Sequence, residues 1–187
     1  MKLQSALKQY FGYDAFRPGQ EEIIRNIMDG KDVVAILPTG MGKSLCYQLP
    51  GYLFEKPVLI VSPLLSLMQD QVDQLKQMGE KRVVALNSFL SVDQKRYALH
   101  FLGEYRFIFA SPEMLLQPQV KARVQEMELS LIVADEAHCI SQWGFDFRPD
   151  YLRIGEILSE TNRPPILALS ATATDTVLAD IQSHMKM

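Results

Sequence analysis

The chain has 187 residues, 48% hydrophobic and 22% charged, which suits one soluble globular domain with a sizeable core. Its apolar runs, such as 33–37, are too short to span a bilayer, the opening residues 1–5 lack a secretory apolar stretch, and Cys46 and Cys139 form no CxxC pair. These features argue against a membrane partner, a zinc site or a disulfide framework, and make a reducing cytoplasm the expected compartment. A net charge of −3 weighs mildly against nucleic-acid binding, though it leaves room for a basic track on one face.

Short apolar runs alternate with longer helical stretches. In chain order the pattern predicts helix 20–29, strand 32–37, helix 43–54, strand 58–61, helix 64–78, strand 82–86 and helix 91–102. It continues with strand 107–110, helix 118–126, strand 129–134, helix 149–158, strand 166–169 and helix 174–186. The strands mostly lack polar alternation, as strands covered on both faces should. Gly30, Gly79, Pro57, Pro63 and Pro112 punctuate the joints. The expected architecture is α/β, with a mostly parallel sheet, right-handed crossovers and helices on both faces. Ligands of such sheets bind beyond the carboxyl ends of the strands.

Pro38-Thr39-Gly40-Met41-Gly42-Lys43-Ser44 follows the first strand and opens a helix. Glycines let successive N–H groups turn inward as an anion nest, and the helix N-terminus adds partial positive charge. Lys43 can reach the β- and γ-phosphates of ATP, and the Ser44 hydroxyl can ligate Mg²⁺. Leu37 stands where the strict phosphate-loop pattern has glycine. The form present resembles the variant of superfamily 2 helicases. The plain alternative is an ordinary glycine turn before a helix.

Asp135-Glu136-Ala137-His138 ends another apolar strand. Two carboxylates there cost desolvation unless a cation accompanies them. Asp135 suits Mg²⁺, through water, and Glu136 suits polarising the attacking water. His138, with only Cys139 beside it, lacks zinc spacing and reads as a coupling residue. Acidic residues favoured at a helix N-terminus are the structural alternative.

With these residues in view, the chain resembles the RecQ family of DNA helicases. The segment 11–20, Phe-Gly-Tyr-Asp-Ala-Phe-Arg-Pro-Gly-Gln, is similar to the stretch preceding their phosphate loop. Residues 38–48, 61–72, 86–88 and 111–113 follow in their order, as do 135–149 and Ser170-Ala171-Thr172-Ala173. Met41, Phe145 and Met114 stand where that family more often has glycine, histidine and arginine. The resemblance implies a RecA-like P-loop lobe over residues 1–187, to be joined by a second RecA-like lobe. It implies binding of single-stranded and forked DNA and 3′-to-5′ duplex unwinding, in repair and recombination. It also implies an adenine site in the opening segment. There Tyr13 and Arg17 offer flat faces for stacking, and the Gln20 amide can pair with adenine N6 and N7. Phe11, Tyr13 and Phe16 could instead form a hydrophobic staple for the next helix.

Trp143, the only tryptophan, shares a short segment with Phe145, Phe147 and Arg148. The rings could stack on unpaired bases. The resemblance makes this an aromatic loop that couples strand occupancy to hydrolysis, with Ser170 and Thr172 as further coupling residues. The alternative is a loop pinned into a core or a lobe interface. Ser62, Pro63, Asn87 and Ser111 fall at or just after strand ends and are candidate phosphate contacts.

Overall fold

The computed structural model describes residues 2–38, 42–159 and 163–187, without the side chains of 156, 158 and 159. Six strands are described: β1 Val33–Ile36, β2 Val58–Val61, β3 Val83–Leu86, β4 Phe107–Ala110, β5 Leu131–Ala134 and β6 Ile166–Ser170. They form one sheet in the order β1-β6-β5-β2-β4-β3. Every pairing is parallel, so the expected mostly parallel sheet is parallel throughout among the described residues.

Alternate strand residues feed two cores. Leu59, Val61, Ile108, Ala110, Ile132 and Ala134 enter one, while Val58, Ile60, Phe107, Phe109, Leu131 and Val133 enter the other. Side chains alternate across a strand, so unbroken apolar runs need cover on both faces. Helices α2 (Gln20–Met28), α3 (Leu45–Leu53) and α4 (Leu65–Gln77) cover one face with Ile23, Tyr47, Met68 and Leu75. On the opposite face lie α5 (Val92–His100), α6 (Pro112–Leu116), α7 (Pro118–Glu126), α8 (Pro149–Ser159) and α9 (Asp175–His184). Leu115, Val120, Tyr151 and Ile181 are among their buried contributions. Each large apolar side chain so buried contributes about 1.5–3 kcal/mol.

Two helices were not anticipated from sequence. α1 (Leu3–Phe11) lies outside the sheet layers and packs Leu3, Ala6 and Leu7 on Ile24, Leu45 and Leu49. Gly12, at φ 75°, ends it and donates its N–H to the Lys8 carbonyl. α6 is a single short segment, capped by the Ser111 hydroxyl with proline in its first turn. At one point backbones approach very closely. A Cβ on Gly155 of α8 would lie 1.9 Å from the His184 carbonyl oxygen at the end of α9.

The strand order positions the site. β6 lies between β1 and β5, so chain leaving β1 and chain leaving β5 emerge at one rim, about 10 Å apart.

Candidate active site

Both motif segments leave that rim. Thr39, Gly40 and Met41 lie outside the described residues. Gly42 has φ +73°, a left-handed conformation that favours glycine, and a Cβ there would meet Gln20 Nε2 at 2.4 Å. Lys43 follows, and its Nζ stands 3.6 Å from Glu136 Oε1, with both side chains mostly buried. Residues remote in sequence thus meet at one rim of the sheet. Ser44 occupies the N-cap position of α3, but its hydroxyl makes no capping bond. It lines a cavity of about 300 Å³ with Tyr13, Arg17, Gln20, Gly42 and Gln48. Larger hollows lie elsewhere, about 740 Å³ beside Phe16–Asp29 and about 610 Å³ along β3 and α5. Neither is lined by Gly42 or Ser44.

Gln20 is buried and spends its amide on backbone. Its Oε1 accepts from the Arg17 N–H at 2.8 Å, and its Nε2 donates to the Gly42 carbonyl at 3.0 Å. In this arrangement it braces the opening segment against the phosphate loop. The expected two-point reading of an adenine edge would have to compete with those bonds. Tyr13 is 58% exposed beside the cavity, and Arg17 is exposed too.

Asp135 is 4% exposed at the end of β5. Burial pushes its carboxyl above the usual range, and nearby Glu136 raises it further, while Lys43 pulls it back. The Glu136 N–H donates to Asp135 Oδ1 at 3.0 Å, and Gln71 of α4 hydrogen-bonds the same carboxyl group. The buried Tyr47 hydroxyl donates to Gln71 Oε1 at 2.9 Å. The Tyr151 hydroxyl lies between the Asp135 and Val61 carbonyls and fixes the strand end from below. Glu136 itself adopts φ 53°, ψ 46°, a strained conformation for a side-chain-bearing residue. That turn aims its carboxylate back toward Lys43. Mg²⁺ fits the chemistry of this donor set: the Asp135 carboxylate, buried and costly to ionise alone, and the Ser44 hydroxyl, which makes no capping bond.

Sequence reading missed Gln71, Tyr47 and Tyr151. A signal for Gln71 existed, because it sits within the inward stripe Met68, Val72, Leu75 of α4. A polar residue there needs a polar partner.

His138 links the rim to the aromatic loop. The Ser170 hydroxyl donates to the Thr172 carbonyl at 2.8 Å, so its oxygen accepts from His138 Nδ1–H at 2.9 Å. That assigns the proton of the neutral ring to Nδ1 and leaves Nε2 facing Glu136 Oε2 at 3.6 Å. Burial lowers the histidine pKa, with Lys43 and Arg148 assisting and Glu136 and Asp146 opposing. Phe145 stacks on the imidazole, centroids 4.4 Å apart, with its own ring 78% exposed. Trp143 is 75% exposed, and Phe147 is half-buried. Thr172 borders a cavity of about 320 Å³ with His138, Trp143 and Phe145. Donor atoms of His138, Cys139 and Asp146 lie within 4.8 Å of one another. Arg148 already supplies positive charge there, pairing with Asp146 at 3.2 Å.

Three of the four candidate phosphate contacts use their side chains in local bonds. Ser62 Oγ accepts from the Leu64 N–H, Asn87 Oδ1 from the Phe89 N–H, and Ser111 Oγ from the Met114 N–H. All three residues are buried. Their side chains hold turns at strand ends, as short polar residues there often do.

Comparison with known proteins places this geometry in context. The chain is 52% identical over 186 residues to the probable ATP-dependent DNA helicase RecS of Bacillus subtilis, covering 100% of this chain and 38% of that protein. It is 41% identical to the ATP-dependent DNA helicase RecQ of Haemophilus influenzae, over 98% of this chain and 30% of that one. The chain therefore spans about a third of the length of these relatives. A hypothetical ATP-dependent RNA helicase from Sulfolobus tokodaii superposes with a TM-score of 0.74 at 22% identity, over 98% of this chain and 54% of that structure. That likeness speaks for the fold alone. The DEAD/DEAH box helicase family matches residues 17–181, and with its RecS- and RecQ-like sequence the chain belongs to that family.

Proposed function

We propose that this chain is the ATP-binding motor lobe of a DNA helicase, that it binds single-stranded and forked DNA, and that, with a second lobe, it couples ATP hydrolysis to 3′-to-5′ duplex unwinding. The observation that carries the reading is the meeting of Lys43, Glu136 and Asp135 at one rim of the sheet. Lys43 would bind the β- and γ-phosphates. Tyr13 and Arg17 would flank the base, with Gln20 holding the loop to the base-binding segment. Ser44 and Asp135 would hold Mg²⁺, which supplies charge neutralisation on the phosphate oxygens. Glu136 orients a water in line with the γ-phosphate and accepts its proton. Relatives named as DNA helicases support DNA over RNA, and the exposed Trp143 and Phe145 suit stacking on unpaired bases. We extend the proposal to a role in DNA repair and recombination, as the RecQ resemblance implies.

Two-lobed motors complete the ATP site with arginine from the partner lobe, on the order of 10³–10⁵ in rate, or roughly 4–7 kcal/mol of barrier. The lobe alone should bind nucleotide weakly and hydrolyse it very slowly. The test is steady-state phosphate release by the lobe joined to a second lobe, with single-stranded DNA or single-stranded RNA as activator. Strong activation by DNA and little by RNA is expected. Equal activation by both would remove the DNA assignment.

A further inference from the structure

The turn that carries Trp143 is tied to α9 by a part-buried side-chain bond. Ser141 is fully buried at the end of the 3-10 turn Ala137–Ile140, and α9 packs against that turn. The Ser141 hydroxyl donates to Asp180 Oδ2 at 2.6 Å. The same oxygen accepts the Trp143 backbone N–H at 3.1 Å. A hydroxyl has one proton and rotates to suit its acceptor. A carboxylate acceptor makes that choice strongly, because charge-assisted bonds are shorter and stronger than neutral ones. With its proton committed to Asp180, Ser141 presents lone-pair density to the Trp143 amide.

The remainder of the turn closes on this point. The Gly144 N–H donates to the Ser141 carbonyl at 3.1 Å. A Cβ at Gly144 would stand 2.7 Å from the His138 carbonyl oxygen, so the turn has little room to adopt another path. Yet the ring it presents is three-quarters exposed. These part-buried polar contacts fix backbone direction at Trp143 without burying its side chain. Asp180 belongs to α9, which begins just after Ser170-Ala171-Thr172, the segment whose Ser170 holds His138. Both ends of the Ser141–Phe145 turn are therefore referred to the same stretch of chain.

We propose that Asp180 is a positioning residue, acting through the Ser141 hydroxyl to hold the Trp143 turn in one orientation for stacking on single-stranded DNA. The DNA part of this statement rests on the function proposed above; the tether itself does not.

Trp143 is the only tryptophan, so the intrinsic emission of this chain reports on that turn alone. In Asp180→Ala the Trp143 anisotropy falls and its acrylamide quenching rises, while the secondary structure measured by far-ultraviolet dichroism is retained. Asp180→Asn, whose amide oxygen still accepts the Ser141 proton, keeps most of the wild-type anisotropy. Ser141→Ala gives the same fall, and adding Asp180→Ala to it brings no further change, as coupled residues in one path should behave. Affinity for an oligo-dT probe, read by Trp143 quenching, weakens about five- to tenfold in Asp180→Ala. Unchanged anisotropy in Asp180→Ala overturns the tether, and additive effects of the two substitutions overturn the route through Ser141. A loosened turn with undiminished oligo-dT affinity overturns the positioning role. Failure of the wild-type chain to bind oligo-dT would count against the DNA reading instead, and anisotropy would still decide the tether.

Discussion

Asp135 and Trp143 stand a few residues apart, yet one is 4% exposed and the other 75% exposed. The carboxylate corner is built inward. Asp135 is held by Gln71, the Glu136 amide and a tyrosine beneath the strand end. The aromatic turn is built outward, with rings in solvent and only its backbone anchored. Charge that must act on phosphate gains strength from a dry, fixed setting. Rings that must meet bases of any sequence gain from an open face. His138 belongs to both regions, with one nitrogen toward Glu136 and its ring face on Phe145.

The comparison breaks first at Glu136. With a second lobe present, Glu136→Gln should lower phosphate release by about 10²–10⁴-fold and leave nucleotide affinity nearly unchanged. Unaltered turnover would end its role as the base. Gly155→Ala lies in neither region and provides the contrast. Its new methyl meets a backbone carbonyl that cannot swing away, so urea unfolding should show a loss of about 1–3 kcal/mol. A neutral result would mean that α8 and α9 shift apart easily. Trp143→Ala should weaken single-stranded DNA binding by about 1–3 kcal/mol without moving nucleotide affinity. If nucleotide affinity fell equally, the two regions would not be separable as described.

The smallest expected effect concerns stability. Burial raises the Asp135 carboxyl above its unfolded value. Its ionised form therefore costs stability above the folded pKa, and the cost vanishes as pH falls below the unfolded one. Asp135→Asn should stabilise the chain by about 1 kcal/mol at pH 7, with the gain fading in acid. A constant gain across that range would place its origin outside this ionisation.

Much of the sheet was legible because parallel strands covered on both faces read as unbroken apolar runs. The runs at β2 and β4 matched their observed limits, 58–61 and 107–110. The other strands shifted by a residue or two, where edge residues such as Asp32 bond through side chains instead. α1 escaped notice because its apolar face meets only other helices and no strand flanks it. α6 is too short to show a helical period, although serine followed by proline is a start signal. The segments carrying the site residues were readable from motif spacing; Gln71 was signalled only as a polar residue within the inward stripe of α4, and the sequence did not name its partner after β5. Ser62, Asn87 and Ser111 could not be resolved from sequence because a polar residue after a strand fits both a ligand contact and a turn anchor.

Nucleotide titration of the wild-type chain and single variants most directly tests the meeting of Lys43, Glu136 and Asp135 at one rim of the sheet. Fluorescent ATP analogue should bind more tightly with Mg²⁺ than without it. Lys43→Ala should weaken that binding at least about tenfold, Asp135→Ala should remove most of the Mg²⁺ dependence, and Trp143→Ala should alter neither. Equal affinity in wild type and Lys43→Ala, with or without Mg²⁺, would contradict it.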